Sequence, residues 1–570
     1  MSFTGVLRPY QRPVVERMVD RGLFLVSAGV GTGKTPMTIA AVEELHEEFG
    51  DDFAGVWVTG GGLKDQTAQA ISQFTGGTKD EKGRWIGGAP CIVIDGPPVK
   101  RMELYQRAQR EHPRYVVLGY DQVVDDHSEV IKLNQMYCVV DEVTVIKNPA
   151  AGITQAIRET FGESPFRFGL TGTPAENGRC DEVFQLLAWI DDSVFGRADL
   201  FDKTFCRRNK YGKVEEYINL PLFNEMLSDV SVSLDADDPG VREYMPTMSR
   251  PTRVRVEFDA ESAKVYQRMS RDLEFELAEL SKKSRNGFDL MAMYAGDSAD
   301  AEAQGKIMSK ISCMRMLCAH PDQIIGSAQR YLEQLAVHDA DPDNWPMITK
   351  TIRGKKKRVP KPLDGSAYAA ELYVNGVLDG LDETPKMDEV QLDIDDVLAG
   401  VCKCCQTLDG ANRTNKVVVF SYHKLALRIL EQRFGNVAVR YDGDMSLKKR
   451  NANKHRFKTE PGVRLFLTSD AGGYGVDLPE ANHLFNLDIP FTAGRVTQRN
   501  ARVRRANLEF HDAVHVRNYV IEGSLEEYYA ELTEQKQRVA NAMRTGRGTV
   551  KGGIVMNAGT LGMFLATHSV

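Results

Sequence analysis

The residues with the clearest chemical use stand near the amino terminus. Ala28-Gly29-Val30-Gly31-Thr32-Gly33-Lys34-Thr35 fits the P-loop pattern, with Ala in place of the first Gly. Gly29, Gly31 and Gly33 allow backbone conformations that aim N–H groups at phosphate, and a following helix N-terminus adds its dipole. Lys34 is expected to reach the terminal phosphates of ATP, and the Thr35 hydroxyl to hold Mg²⁺. Such a site needs a carboxylate at the end of another strand. Cys138-Val139-Val140-Asp141-Glu142 supplies it, with Asp141 for the Mg²⁺ shell and Glu142 as the general base that polarises water. Far downstream, Gln498-Arg499-Asn500-Ala501-Arg502-Val503-Arg504-Arg505 offers guanidinium groups that can stabilise a transferring phosphoryl group. Arg502 and Arg505 are three apart, and the spacing predicts that they share one helical face.

Those side chains need a scaffold that delivers them to one place. Leu23 to Ser27 is strand-like and ends in the glycine-rich turn, and Pro36 to Glu47 has helical periodicity. Ala54–Thr59, Cys91–Asp95, Tyr115–Gly119, Tyr137–Asp141 and Arg167–Thr171 are further short buried-strand candidates. Strands separated by helices imply βαβ units and a parallel sheet, whose carboxyl edge is where phosphate ligands sit. A second alternating block runs through Val417–Ser421, Ala438–Tyr441, Val463–Thr468, His483–Asp488 and Val514–Ile521. Between the blocks strand signals thin out. Glu261–Leu280 and Ala303–Cys318 read as helices, and Ser524–Met543 as a long closing helix. The expected class is α/β: two parallel-sheet lobes, a helical middle insertion and a long closing C-terminal helix. The expected division is 1–205 for lobe 1, 206–330 for a helical protrusion or linker and 331–385 for a polar basic insertion. Lobe 2 follows at 386–523, then the closing helix and tail at 524–570.

As an ordered set, these motifs resemble superfamily two helicases and translocases of the Swi/Snf-type branch, which implies that the two lobes are RecA-like and that the closing helix is a brace. Leu7-Arg8-Pro9-Tyr10-Gln11 resembles the adenine-reading Q motif, which implies that Gln11 reads the base. Asp141-Glu142-Val143-Thr144 resembles the DEAH box, with Thr144 in place of His, and continues into Lys147-Asn148-Pro149. Leu170-Thr171-Gly172-Thr173-Pro174-Ala175-Glu176-Asn177 matches motif III. Thr468 to Leu478 resembles motif V; the resemblance implies nucleotide contacts from Gly475 and Asp477, the latter where many relatives carry Asn. The arginine run resembles motif VI, with Ala501 replacing a Gly, and implies that Arg502 and Arg505 complete the site from the opposite lobe. Val417–Tyr422, Asp442–Asp444 with Arg450 and Phe457, Met314–Pro321 and Thr384–Met387 match further signatures. Gly60-Gly61-Gly62-Leu63-Lys64 sits where relatives carry a Pro-containing motif Ia.

The resemblance implies an ATP-dependent, Mg²⁺-requiring DNA translocase or helicase serving replication, recombination or repair. Duplex DNA is the favoured track and single-stranded DNA an alternative. An RNA helicase of the same superfamily, or a nucleic-acid-binding scaffold with a spent ATPase site, are the competing readings. A monomer is expected, in the cytoplasm of a bacterium or a phage-infected host.

Composition agrees. In 570 residues, 42% hydrophobic and 26% charged rule out a largely disordered chain, and a net charge of -7 excludes a globally basic coat protein. Local basic tracks remain, at Arg353–Arg358 and among Lys536, Arg538, Arg544, Arg547 and Lys551. The start carries no secretory pattern, and no run of about 20 apolar residues suggests a membrane span. Nine cysteines, an odd number, read as reduced thiols. Cys402, Cys404 and Cys405 lack a nearby second pair, so a reduced cluster is favoured over zinc.

Overall fold

The computed structural model describes the chain apart from residues 1–2, 82, 176–178, 209–213, 284–300, 353–354, 383, 401–414, 471–475, 491, 507, 546–549, 552–557 and 569–570. Its first sheet has, among the described residues, seven strands in the order Ser231–Leu234, Leu23–Ala28, Phe166–Thr171, Tyr137–Val140, Gly55–Thr59, Tyr115–Gly119, Cys91–Val93. All pairings are parallel. The central strands are buried along their whole length, so they read as unbroken apolar runs instead of alternating ones. Their side chains still divide by face. Val56, Val58, Val116, Leu118, Cys138 and Val140 enter one core, and Trp57, Tyr115, Val117, Tyr137 and Val139 the other.

The second sheet is also parallel, in the order Thr247–Met248, Ala513–Ile521, His483–Asn486, Val417–Phe420, Leu465–Thr468, Ala438–Tyr441. Thr252–Val256 pairs farther along Ala513–Ile521. Between the sheets the helices Ala260–Lys283, Ala301–Ala319, Pro321–Ala340 and Ala367–Val374 share one apolar core around Tyr266, Met269, Leu273, Ile311, Met314 and Leu317. Pro321 opens its helix at the position that needs no N–H partner, and His320 caps it by accepting from the Asp322 amide. Leu561 and Leu565 of the C-terminal helix Ala558–His568 join the same core.

The structure adds detail to both parts of the middle. Residues 206–330 are not purely helical: Ser231–Leu234 is an edge strand of the first sheet, and Thr247–Met248 and Thr252–Val256 belong to the second. These strands are short, and Arg253 and Arg255 interrupt the apolar pattern, which suits sheet edges and hides the strand signal. The stretch 331–385, expected as a polar basic insertion, is built of regular elements. It holds the end of a helix, the antiparallel hairpin Met347–Ile352/Lys355–Pro360 and the helix Ala367–Val374, which Ser366 caps.

The closing helix Leu525–Thr545 ties the parts together. Leu525, Tyr529 and Leu532 sit in the core of the helical unit, and Val539 in the core of the first lobe. Near its end, the Asn224 side-chain amide donates to the Arg544 carbonyl at 2.8 Å, and the Arg544 guanidinium pairs with Asp238 at 3.0 Å. Lys536, part of a basic stretch read as lying on a duplex or bracing the two lobes, is buried. Among the described residues no helix is long and apolar enough to cross a membrane.

Candidate active site between the lobes

Leu23–Ala28 delivers the glycine-rich loop to the carboxyl edge of the first sheet, and the helix Lys34–Phe49 leaves from it. Gly31 and Gly33 have φ of +89° and +94°, a left-handed backbone that costs other L-residues about 1–2 kcal/mol. Space adds a second constraint, because a Cβ on Gly33 would collide with the Gln11 amide nitrogen. Gln11 is buried; its Nε2 donates to the Thr32 carbonyl at 2.9 Å, and its Oε1 accepts the Arg8 N–H at 2.8 Å. The Tyr10 hydroxyl donates to the same Thr32 carbonyl at 2.8 Å. The Arg8–Gln11 segment therefore braces the loop directly, and one of the two Gln11 amide protons is committed to that task.

Asp141 and Glu142 follow Tyr137–Val140, two strands across from Leu23–Ala28 at the same edge. The Asp141 carboxylate is held by the Thr59 hydroxyl at 3.3 Å and the Glu142 N–H at 3.1 Å, and the Tyr120 hydroxyl donates to the Asp141 carbonyl. Glu142 has φ of +49°, a left-handed conformation rare for a residue with a side chain and concentrated at functional sites. The intervening strand Phe166–Thr171 brings Gly172 against the loop. A Cβ there would lie 3.7 Å from the Ala28 carbonyl oxygen and 3.9 Å from Lys34 Nζ. Lys34 itself donates to the Ala28 carbonyl at 2.8 Å.

The second lobe closes the site. A Cβ on Gly31 would meet Arg505 Cδ at 2.9 Å and the Arg504 carbonyl at 3.2 Å, so the loop and the arginine segment are in contact. The Arg8 guanidinium donates to the Ala506 carbonyl, a second bond across the gap. Arg505 pairs with Asp477, and Arg502 lies 3.9 Å from the same carboxylate. The two arginines do not share a helical face as their spacing predicts. The helix Ala493–Asn500 ends before them, and they converge because the turn after it passes Asp477. The Arg502 carbonyl accepts the Leu478 N–H at 2.9 Å and fixes that turn beside Asp477.

The other two arginines of the run do different work. Arg499 is buried and bonds Asp470 at 2.6 and 2.8 Å and Asp488 at 3.1 Å, closing the inside of the lobe. Arg504 donates to the Pro246 carbonyl at 3.0 Å and to Asp237 at 2.5 Å, both on the segment that joins the lobes.

Charge explains how these groups are poised. Burial pulls the Lys34 ammonium below its ordinary range; Glu142 and Asp141 oppose the shift, and Arg505 and Arg502 reinforce it. Burial pushes the Asp141 carboxyl up, against Lys34 and the hydrogen bonds from Thr59 and the Glu142 amide. Three cations thus converge on a cramped loop and two carboxylates at one edge. Asp477 beside the arginines, and Asp141 and Glu142 beside Lys34, offset part of their mutual repulsion, and a polyanion entering the loop would offset more. Magnesium typically takes one or two carboxylates, with phosphate and water completing its shell, and Asp141 with Thr35 matches that donor set. Gly475, Glu176, Asn177, Cys402, Cys404 and Cys405 lie outside the described residues.

The sequence reading missed the Asp477 counter-ion, the Thr59 and Tyr120 bonds to Asp141, and the Arg8 and Tyr10 bonds. Only Tyr10, next to Gln11 in the chain, carried a local signal.

Comparison with known proteins bears on the same elements. Residues 76–323 match the SNF2-related domain, and residues 399–507 match the helicase conserved C-terminal domain. The chain thus carries an SNF2-related domain and a helicase conserved C-terminal domain. Among its curated relatives is the TATA-binding protein-associated factor mot1 of Schizosaccharomyces pombe, 24% identical over 94% of this chain and 26% of that protein. Another is the DNA repair and recombination protein RAD54-like of Gallus gallus, 22% identical over 88% of this chain and 62% of that protein. The chain thus spans only about a quarter of the length of the mot1 relatives it matches. The Sulfolobus solfataricus SWI2/SNF2 ATPase core in complex with dsDNA aligns over 96% of this chain and 94% of that one, at 17% identity and a TM-score of 0.38, too loose a superposition to carry an argument.

Proposed function

We propose that this chain is an ATP-driven motor that couples hydrolysis to movement along duplex DNA, serving replication, recombination or repair. The observation that carries the ATPase reading is the contact of Arg505 with Gly31, with Arg502 beside it on Asp477, so that both lobes build one phosphate site. In this reading the backbone of Gly29, Gly31 and Gly33 cradles the phosphates, and Lys34 neutralises them. Thr35 and Asp141 hold Mg²⁺, which when bound shields charge on the terminal phosphates. Glu142 accepts the proton of the attacking water. Arg502 and Arg505 meet the charge that develops during transfer. Gln11 keeps the loop in shape and offers its remaining amide proton to the base, while Asp477 holds the two arginines until nucleotide takes them.

Movement follows from the same geometry. Nucleotide draws the arginines onto the loop; its loss after hydrolysis releases them, so the angle between lobes alternates. The name of the RAD54-like relative, a DNA repair and recombination protein, supports DNA as the track. Contacts to a nucleic-acid backbone carry no base information, so the motion is expected to be independent of sequence.

Steady-state ATPase assays with duplex DNA, single-stranded DNA and RNA test the reading. Stimulation by duplex DNA above the other two is expected. Stimulation by RNA alone would transfer the chain to the RNA-helicase reading, and no turnover with any polynucleotide would leave only a scaffold.

A further inference from the structure

One stretch of chain touches both halves of the nucleotide site without belonging to either. Residues 235–246 run from the edge strand Ser231–Leu234 of the first sheet to Thr247–Met248 of the second, the first crossing from one lobe to the other. At its entry the Leu234 carbonyl accepts the Gly29 N–H at 2.8 Å. Three residues on, Asp237 pairs with Arg504 at 2.5 Å. Next to it, Asp238 pairs with Arg544 of the closing helix at 3.0 Å. A Cβ on Gly240 would meet the Tyr10 Cβ at 3.7 Å. Tyr244 lies 5.8 Å from the Tyr10 ring and has the Arg8 guanidinium over its face at 4.9 Å. At the exit the Pro246 carbonyl accepts from Arg504 at 3.0 Å.

The sequence makes this crossing stiff. The Asp238 carboxylate accepts the Asp235 N–H at 2.6 Å, and the Asp235 carboxylate accepts the Asp237 N–H at 3.0 Å. Short acidic side chains fix turns in this way. Pro239 then opens the short helix Pro239–Arg242. Val241 and Met245 are buried and pin the segment down. Asp237 is held out at 68% exposure, facing an Arg504 side chain that is 6% exposed.

Burying a guanidinium costs more than burying a hydrocarbon of the same size, and such pairs are kept where they fix a register. The register here is that of the neighbouring residue. The Arg504 carbonyl and the Arg505 side chain lie against Gly31, while the Arg504 side chain reaches back to the crossing. The crossing thus grips the loop through Leu234 and the arginine turn through Asp237. Three residues span at most about 11 Å, so this short leash limits how far the turn can withdraw from the loop.

We infer that Asp237 is a positioning residue for ATP binding: through Arg504 it holds the arginine turn of the second lobe within reach of the phosphate loop. The inference rests on the proposed ATPase reading and adds a residue to it. In this role Asp237 touches no reacting atom. It raises the fraction of molecules in which Arg502 and Arg505 stand ready, so its loss weakens nucleotide binding and leaves the chemical step as it was.

The test measures KM and kcat for ATP on the full chain, and the Kd of a fluorescent ATP analogue by equilibrium titration. Asp237→Ala is expected to raise KM and Kd together by about two- to fivefold, the most that an exposed ion pair supplies, with kcat within about twofold of wild type. Asp237→Glu keeps the charge and is expected to match wild type. Arg504→Leu is expected to weaken binding as much as Asp237→Ala at an equal or higher melting temperature, which a residue that only supports the fold would not do. The double variant is expected to be no worse than either single one. Glu243→Gln removes an exposed charge of the same crossing that pairs with nothing among the described residues, and is expected to change neither constant. Unchanged KM and Kd in Asp237→Ala or in Arg504→Leu overturn the inference. So do single effects that multiply in the double variant, an equal loss in Glu243→Gln, or a fall in kcat of about tenfold with affinity intact. In each of those cases wild-type turnover leaves the motor reading standing. If wild type neither binds the analogue nor turns over ATP, the ATPase reading itself has failed.

Discussion

The two halves of the candidate site are built by different means. On the amino-terminal side, backbone does the positioning: positive φ at Gly31, Gly33 and Glu142, and a sheet edge that aligns Asp141 with the glycine-rich loop. On the carboxy-terminal side, counter-ions do it. Asp470 and Asp488 clamp Arg499, Asp477 gathers Arg502 and Arg505, and Asp237 takes Arg504. A backbone cradle holds one shape. An arginine held by a carboxylate can exchange that partner for a phosphate, so the half that must respond to nucleotide is the half with exchangeable partners.

The largest expected effect falls on that exchangeable half. Arg502→Ala and Arg505→Ala are each expected to lower ATP turnover by about 10³–10⁵-fold, the usual worth of an arginine finger. Single-turnover hydrolysis measures this directly, and normal rates in both variants would show that the second lobe adds nothing to the chemistry.

The next effect is on stability. Arg499→Ala leaves Asp488 buried without its main counter-charge and is expected to cost about 3–5 kcal/mol in denaturant unfolding. Arg504→Ala loses a pair with an exposed Asp237 and is expected to cost about 1 kcal/mol or less. Equal losses would erase the distinction between anchor and strap.

A subtler probe uses pH. Because burial raises the Asp141 pKa, the carboxylate form needed for metal is lost, as pH falls, earlier than for an ordinary aspartate. The Thr59 hydroxyl stabilises that carboxylate. Thr59→Val is therefore expected to move the acidic limb of kcat/KM for ATP to higher pH, while Thr59→Ser leaves it in place. A limb that stays fixed in Thr59→Val would remove Asp141 as its source.

Smallest is Asp477→Asn. An exposed ion pair is worth about 0–1 kcal/mol, so freeing the arginines is expected to lower the KM for ATP by at most about fivefold. A rise in KM would instead mark Asp477 as a nucleotide ligand in its own right.

What could be read from sequence follows the same division. Gly29, Gly31, Gly33 and Lys34 are adjacent, and Asp141 and Glu142 end an apolar strand, so local spacing carried their geometry. Arg502 and Arg505 were legible as a pair, yet the supposed helical face was wrong because the helix stops at Asn500 and the organising Asp477 lies well upstream. Ser231–Leu234 was missed because a short edge strand has little pattern of its own. The lysine-rich hairpin was missed because its strands are poor strand formers, held by Trp345 and Lys361 at the root.

The helix Leu525–Thr545 has a mechanical corollary. One end is embedded with the helical unit and the other is nailed to the first lobe by Val539, Asn224 and Asp238. A rod fixed at both ends cannot follow a swing of its two attachments without bending, fraying or letting go at one of them. If the lobes swing as proposed, its final turns are where the strain would be released, and amide exchange there would gauge the opening.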